Sequence, residues 1–363
     1  MSASLGWLLP YLLCPVCRAP LDLGINDDDE NGILSHVGEN PVCSESYPLI
    51  DGIPRLLREP HRARFVAQKT AWFSRNAGRA SLARHWSGDT TTDHVVEGFD
   101  YEWSQFARIG TDELGRIFSM YFDLIPLARY DGDVTVLDAG CGTGRWAAEV
   151  AARGPRVIAL DLGASIEVAR KNLDRERVGC VQADILDCPI RADSIDWAYS
   201  LGVLHHTSSP DRGLKQVAAT VKAGGVVLLY LYCALDSRGP AFYMIFRIVD
   251  LVRRVTSRLP RRLVHLFAGL VAIAIYWPAA RASKCLHRLG FRRLASLLPL
   301  SGYSDRSLSV MMNDSLDRFG TRVEKRYRRA EIIDLMHSAG LAVAIVSDRP
   351  PYWHAAGRKS VEL

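Results

Sequence analysis

The 363-residue chain has no internal repeat and no low-complexity tract, which excludes repeat architectures and largely disordered ones. Its cysteines are too scattered for a disulfide framework. Cys141, Cys180, Cys188, Cys233 and Cys285 stand alone among eight, as in proteins of a reducing compartment. No basic segment precedes the apolar residues Trp7 to Leu13, so no secretory signal peptide is read and a cytoplasmic location is expected. Acid is missing altogether between Asp250 and Asp305. From Asp236 to Ala330, nineteen Lys/Arg face six Asp/Glu, giving +13, while the rest carries 26 against 34, giving −8. Such asymmetry implies that one face meets an anionic partner: lipid headgroups, a phosphorylated substrate or nucleic acid.

What is present suffices for a large core, since 48% of the residues are apolar. The length exceeds one usual domain, so one large domain with an appendage, or two domains, is expected. Five stretches separate by composition: 1–58, 59–130, 131–235, 236–300 and 301–363. In the first, Cys14-Pro-Val-Cys17 and Cys43-Ser-Glu-Ser46 flank a polar stretch from Asn26 to Asn31. Two knuckles separated by a loop are the plan of a zinc ribbon, where tetrahedral ligands replace a core too small to stabilise itself. Cys14, Cys17 and Cys43 are the candidate metal ligands. Ser46 stands where a fourth cysteine belongs and is a poor ligand; His36 is a substitute at an unusual spacing. Bound zinc and a metal-free relic held by apolar residues both remain open.

Residues 59–130 read as a helical lead-in, with Phe65, Trp72, Phe73, Trp86, Phe99, Trp103 and Phe106 as packing anchors. From Val134 onward, short β-rich runs alternate with helix-length segments, the pattern of βαβ units. The runs Val134–Leu137, Val157–Leu160 and Val178–Gln182 lead into Asp138, Asp161 and Asp184, and Ile195–Leu201 leads to His205-His206. Val226–Tyr232 follows Gly224-Gly225. Near the C-terminus, Leu341–Ser347 and Trp353–Gly357 are expected to pair as an antiparallel edge.

The decisive stretch is Asp138-Ala139-Gly140-Cys141-Gly142-Thr143-Gly144-Arg145, between a strand and a helix. Glycines there permit a sharp turn and close approach to a ligand. A dinucleotide site wants a further glycine where Arg145 stands. A strand-end aspartate is often only a helix cap, and a lone glycine turn is weak. Together with Asp161, Asp184, Gly202-Val203-Leu204-His205-His206 and Lys222-Ala223-Gly224-Gly225, however, the stretch resembles the class I S-adenosylmethionine-dependent methyltransferases, in their quinone-methylating branch. The N-terminal segment, ending in Tyr47-Pro-Leu-Ile-Asp-Gly-Ile-Pro54, resembles zinc-ribbon domains found beside or fused to such enzymes. Residues 99–106 resemble a stretch that precedes the catalytic domain in some bacterial members and helps cover the cofactor.

The resemblance implies an α/β fold: a doubly wound, Rossmann-like, seven-stranded sheet with a zinc-ribbon-like unit and a helical insert. It implies S-adenosyl-L-methionine as cofactor, on the Gly140, Gly142 and Gly144 turn. Asp138 would attend the cationic amino acid moiety and sulfonium, Asp161 both ribose hydroxyls, and Asp184 the adenine amino group, with Ile185 flanking the ring. Methyl transfer from a sulfonium is an in-line displacement, so the protein mostly aligns donor and acceptor, and a base is needed only when the acceptor loses a proton. His205 is the candidate acid/base or acceptor-positioning residue; His206 is read as packing against the cofactor or capping a helix.

Residues 236–300 form a basic apolar insert. Pro240 to Pro260 reads as a helix, and Leu263 to Ala280 as an apolar run ending near Pro278. A lid over the acceptor pocket is the first expectation. An interfacial pair of helices, touching anionic membrane through 240–300 or gripping a lipid-like acceptor, is the second. A transmembrane span is the third, since 18 residues reach only the short end of the required length. The expected activity is methyl transfer to a small-molecule or lipid-linked biosynthetic intermediate. RNA methylation, with the ribbon and insert gripping nucleic acid, is a rival that the modest pI near 8.8 and the missing fourth cysteine disfavour. A non-catalytic cofactor-binding partner protein is another.

Overall fold

The computed structural model describes residues 3–26, 28, 30–38, 43–69, 72–73, 111–125, 133–234, 240–347 and 352–360. The strands are β1 (Leu21–Asn26), β2 (Gly32–His36), β3 (Tyr47–Ile50), β4 (Ile53–Leu56), β5 (Thr135–Ala139), β6 (Arg156–Asp161), β7 (Val178–Ala183), β8 (Ile195–Leu201), β9 (Val221–Tyr232), β10 (Leu341–Val346) and β11 (Tyr352–Lys359). The helices are α1 (Ala3–Leu8), α2 (His61–Gln68), α3 (Thr111–Tyr121), α4 (Arg145–Ala151), α5 (Ser165–Asn172), α6 (Pro210–Thr220) and α7 (Pro240–Thr256). They continue with α8 (Arg261–Arg288), α9 (Arg292–Leu297), α10 (Leu308–Gly320) and α11 (Arg329–Ser338).

All eleven strands form one sheet, ordered β1-β2-β3-β4-β7-β6-β5-β8-β9-β11-β10. The run from β7 to β9 is parallel, and β11 is antiparallel to both β9 and β10. These seven strands are the expected doubly wound sheet, with the expected antiparallel edge. Strands β5 and β7 are buried along their whole length, as their unbroken apolar runs require when helices cover both faces. The chain builds outward from β5 to β6 and β7, then returns to place β8 and β9 on the other side. That reversal opens a crevice at the carboxyl ends of β5 and β8.

The N-terminal unit is not a detached ribbon. Strand β4 pairs in parallel with β7 through Arg55↔Gln182 and Leu56↔Ala183, extending the main sheet by four strands. Arg55, 1% exposed, donates to Gln182 Oε1 at 2.9 Å and lies 3.3 Å from Glu167 of α5, so burying its charge is compensated. In the lead-in, Phe65, Trp72 and Phe73 pack with Ile33, Ile50 and Leu57. Phe118 and Phe122 pack with Trp197 and Tyr199, against the α4 side of the sheet. Trp86, Phe99, Trp103 and Phe106, and the whole stretch 99–106, lie outside the described residues.

The insert departs from expectation in two ways. Helix α8 runs straight through Pro278 instead of ending near it. A π-turn at Ala272–Tyr276 widens the helix just ahead of the proline, and so absorbs a ring that would collide with the carbonyl four residues back. Helices α7 and α8 also pack on α10 rather than over the crevice. Thr256 donates to the Phe319 carbonyl at 2.8 Å, and Ser315 to the Ala268 carbonyl at 2.9 Å.

Candidate active site

The turn after β5 is built on glycines with positive φ: +90° at Gly140, +55° at Gly142 and +81° at Gly144. A Cβ at Gly140 would lie 2.4 Å from Val203, and one at Gly144 2.5 Å from Leu173. The turn is thus glycine-bound by its own packing as well as by any ligand above it. It borders an open cleft of ≈ 1060 Å³, its mouth included, at the reversal point of the sheet.

The cleft has two halves. Asp161, Leu162, Ala183, Asp184, Ile185 and Leu186 line one, at the tips of β6 and β7; Gly140, Gly142, Arg145, Trp146, Leu201, Val203 and His206 line the other. Asp161 Oδ2 accepts from the Gly142 amide, and Oδ1 accepts from the Gly163 amide, each at 2.8 Å. Each carboxylate oxygen has two lone pairs, so these bonds fix the side chain and leave acceptor capacity toward the cleft. Asp184 both caps and lines. Its Oδ1 accepts from the Leu186 amide at 2.8 Å, and Oδ2 lies 3.4 Å from His61 Nε2 of α2. The helix-cap reading therefore holds for Asp184 alongside its place on the wall. Ile185, 6% exposed, presents the adjoining apolar surface.

Asp138 is elsewhere. It is 1% exposed beneath the turn and forms no part of the cleft wall. Burial pushes its carboxyl up to about 8, and Asp161 adds repulsion, while hydrogen bonding from Tyr199 and the Ala147 amide pulls the other way. Any influence on a bound cation is exerted through the turn rather than by contact.

His205, the expected acid/base, does not reach the cleft. The short turn Leu204–His206 sends His205 into the core, with 0% exposure, its ring 4.1 Å from that of Tyr232 and neither ring nitrogen bonded. Burial drives its pKa well below the usual value, so it is neutral. His206 lines the cleft instead. Its Nδ1 donates to the Val323 carbonyl at 2.8 Å, and Nε2 lies 3.7 Å from Asp317 Oδ1 of α10. Asp317 also accepts from the Tyr232 hydroxyl. Sequence reasoning missed this set because Val323 and Asp317 lie more than a hundred residues downstream in the chain. It also missed the aromatic rings behind Trp146 of the cleft wall: Trp146 and Tyr121 have ring centroids 5.3 Å apart, and Tyr121 stacks on Tyr230 at 5.0 Å. No insert residue is among those lining the cleft, so the lid expectation is not met among the described residues.

At the far edge of the sheet, Cys14, Cys17, His36 and Cys43 bring four ligand atoms within 4.8 Å of one another. Cys14 Sγ is 4.0 Å from Cys43 Sγ, and Cys17 Sγ is 3.3 Å from His36 Nε2. These separations suit a tetrahedral zinc, whose sulfur ligands lie roughly 3.8 Å apart at ordinary bond lengths. The Tyr47 hydroxyl, 3.2 Å from Cys14 Sγ, supplies an outer hydrogen bond. Ser46 is not the fourth member. Its carbonyl accepts from Arg62, and antiparallel pairing of β2 with β1, Leu21↔His36, carries the histidine to the knuckle.

Residues 137–229 match the family described as "Methyltransferase domain". A demethylmenaquinone methyltransferase of Clavibacter sepedonicus is 30% identical over 46% of this chain and 67% of its own. A malonyl-[acyl-carrier protein] O-methyltransferase of Yersinia pestis is 31% identical over 38% and 50%, and a magnesium-protoporphyrin O-methyltransferase of Rhodobacter capsulatus 31% over 39% and 58%. The chain thus spans between half and about two thirds of the length of these curated relatives. The likeness lies within that stretch, and there it is sufficient: the chain belongs to the class I S-adenosylmethionine-dependent methyltransferases.

Proposed function

We propose that the chain methylates a small-molecule or lipid-linked biosynthetic intermediate at the mouth of this cleft. The observation that carries the reading is the pairing of two wall carboxylates, Asp161 and Asp184, with a three-glycine turn at the reversal of a parallel sheet. S-adenosylmethionine supplies a methyl group already activated on a sulfonium. The remaining tasks are positional. Asp161 accepts hydrogen bonds from the ribose, Asp184 from the adenine amino group, and Ile185 flanks the ring. The turn at Gly140–Gly144 receives the amino acid end.

The acceptor enters against Trp146, backed by the Tyr121–Tyr230 stack, an aromatic wall that favours flat or apolar compounds. The relatives named for a quinone, an acyl carrier protein ester and a porphyrin disagree about the acceptor, so the wall is the better guide. Where the acceptor must lose a proton, His206 is the nearer base: its Nδ1–H is committed to Val323, which leaves Nε2 as the proton-accepting atom. Zinc on Cys14, Cys17, His36 and Cys43 has a structural role, staking down β1–β4 and, through β4, the tip of β7 beside Asp184.

Calorimetry with S-adenosylhomocysteine, followed by mass spectrometry of extracts supplied with methyl-labelled S-adenosylmethionine, tests the reading. Micromolar binding and one labelled apolar product are expected. Binding with no product across extracts would make the chain a cofactor-binding partner protein; labelled RNA would move the acceptor to nucleic acid.

A further inference from the structure

Of the 21 large apolar side chains exposed among the described residues, 17 lie between Tyr243 and Leu297. They are ordered. On α7, Met244, Ile248, Leu251 and Val255 recur at i, i+4, i+7 and i+11, a single stripe, each 59–65% exposed. On α8, Leu263, Leu266, Leu270, Ile273 and Trp277 follow at intervals of three and four. On α9, Phe291, Leu294 and Leu297 continue the pattern, with Leu297 74% exposed. The opposite faces are the packed ones. Val264, Ala268, Ala272, Tyr276 and Ala280 form the buried ridge of α8, lying on Met311 and Leu316 of α10. Helix α8 therefore turns mostly small side chains inward and large apolar ones outward, the reverse of an ordinary surface helix.

Charge accompanies the stripes. From Leu251 to Ser304 there are ten Lys/Arg and no acid. Exposed Arg247 and Arg254 follow one edge of the α7 stripe, each one residue before a stripe position, and exposed Arg258 follows just after the helix. Arg261 and Arg262 stand at one end of α8, Lys284 and Arg288 at the other, and Arg292 and Arg293 accompany the α9 apolar residues. The flanking acids are engaged: Asp250 with Arg253 and Arg254, Asp305 with Lys284.

We propose that the outer faces of α7, α8 and α9 dock on an anionic phospholipid bilayer, with the apolar side chains in the boundary between headgroups and acyl chains and the arginines on lipid phosphates. Charge selects this occupant. A second copy joined about a two-fold axis would set the same cationic face against itself, whereas an anionic bilayer offers the opposite sign over a broad surface. Helix α8 contains an 18-residue window of mean hydropathy 1.8, long enough to cross a membrane, yet a third of that window is buried inside the protein. Crossing would strip its ridge from α10, so α8 lies along the surface. The docked helices rest on α10, whose Asp317 faces His206 at the cleft. The inference holds whether or not the methyl acceptor is itself a lipid.

Flotation of the full chain with vesicles tests it. The protein should rise with vesicles of phosphatidylcholine and phosphatidylglycerol mixed equally, less with phosphatidylcholine alone, and less at high salt. Ile248→Glu with Leu251→Glu, or Leu266→Glu with Leu270→Glu, should lower partitioning more than about tenfold, and Arg254→Gln and Arg258→Gln about fivefold each. Unchanged binding of S-adenosylhomocysteine shows that each variant is folded. Three results overturn the proposal. One is an intact chain left at the bottom with anionic vesicles. Another is a dimer that Leu266→Glu with Leu270→Glu makes monomeric while vesicle binding is unmoved. The last is protein that resists alkaline extraction from membranes, which would make α8 a span.

Discussion

The Gly142 amide donates a 2.8 Å hydrogen bond to Asp161 Oδ2, tying the turn after β5 to the tip of β6. The same carboxylate takes the Gly163 amide at 2.8 Å and the Ser165 hydroxyl at 3.2 Å, so it shapes the cleft while facing it. Asp161→Ala loses these bonds together with any made to the ribose. Bonds to a charged group contribute about 1.5–3 kcal/mol each, so affinity for S-adenosylhomocysteine should fall about a hundredfold, with a lower melting temperature. Calorimetry reads the first and a thermal melt the second. An unchanged Kd would remove Asp161 from the site.

Asp138 makes the ligand-free protein sensitive to pH. Its carboxyl is pushed up to about 8 by burial, from 3.8 when unfolded. The folded chain therefore keeps a proton that the unfolded chain releases across this interval, so the contribution is most favourable below about pH 4 and is lost as pH rises toward 8. Asp138→Asn, which cannot ionise, should flatten the fall in melting temperature between pH 6 and 8. A cationic nucleoside over the turn favours the carboxylate, so binding at neutral pH should release a fraction of a proton. Titration calorimetry in two buffers of different ionisation enthalpy measures that release, and Asp138→Asn should abolish it. Equal heats for the wild-type protein, after correction, would contradict the assignment.

The parts of this site legible in the sequence are those encoded locally. A strand, an acid and a glycine turn follow one another within eleven residues from Thr135 to Arg145, and Asp161 and Asp184 stand at the ends of their strands by the same short-range logic. What escaped is non-local. His36 stays one of two open readings in the sequence, because it reaches Cys17 only through the pairing of β2 with β1. The N-terminal unit joins the main sheet through two pairs between β4 and β7, and the partners of buried Arg55, Gln182 and Glu167, lie more than a hundred residues away in the chain. For the histidine pair, a short turn decides which ring faces the cleft, and adjacent identical residues carry no signal about it. Pro278 reads as a stop, and the π-turn ahead of it overrides that signal.

The zinc proposed for the cysteine–histidine cluster should act at a distance. The metal-analysed protein should carry one zinc per chain, and His36→Ala should lose it as completely as Cys17→Ser does, whereas Ser46→Ala should retain it. Removal by a chelator should lower the melting temperature, because metal binding adds to folding stability. It should also weaken S-adenosylhomocysteine binding, since β4 borders β7 through Leu56↔Ala183, next to Asp184, and His61 Nε2 lies 3.4 Å from Asp184 Oδ2. A chelated protein with unaltered melting and binding would reduce the cluster to a metal-free relic.

The histidines at the end of β8 should respond oppositely to substitution. His205 is fully buried with both ring nitrogens unbonded, and an unsatisfied buried polar group costs about 1–3 kcal/mol. His205→Phe keeps an aromatic ring against Tyr232 and removes both orphaned atoms, so the melting temperature should hold or rise and labelled methyl transfer in extracts should persist. His206→Gln removes the ring that lines the cleft and faces Asp317 at 3.7 Å. If the acceptor loses a proton, transfer should slow about a hundredfold, with nucleoside affinity nearly unchanged, because general-base assistance contributes about that much. Asp317→Asn should reproduce part of the loss, since the carboxylate lies 3.7 Å from the imidazole and helps to hold it. Full activity in His206→Gln together with a collapse in His205→Phe would restore the deeper residue to the chemistry and relegate the cleft-facing one to packing.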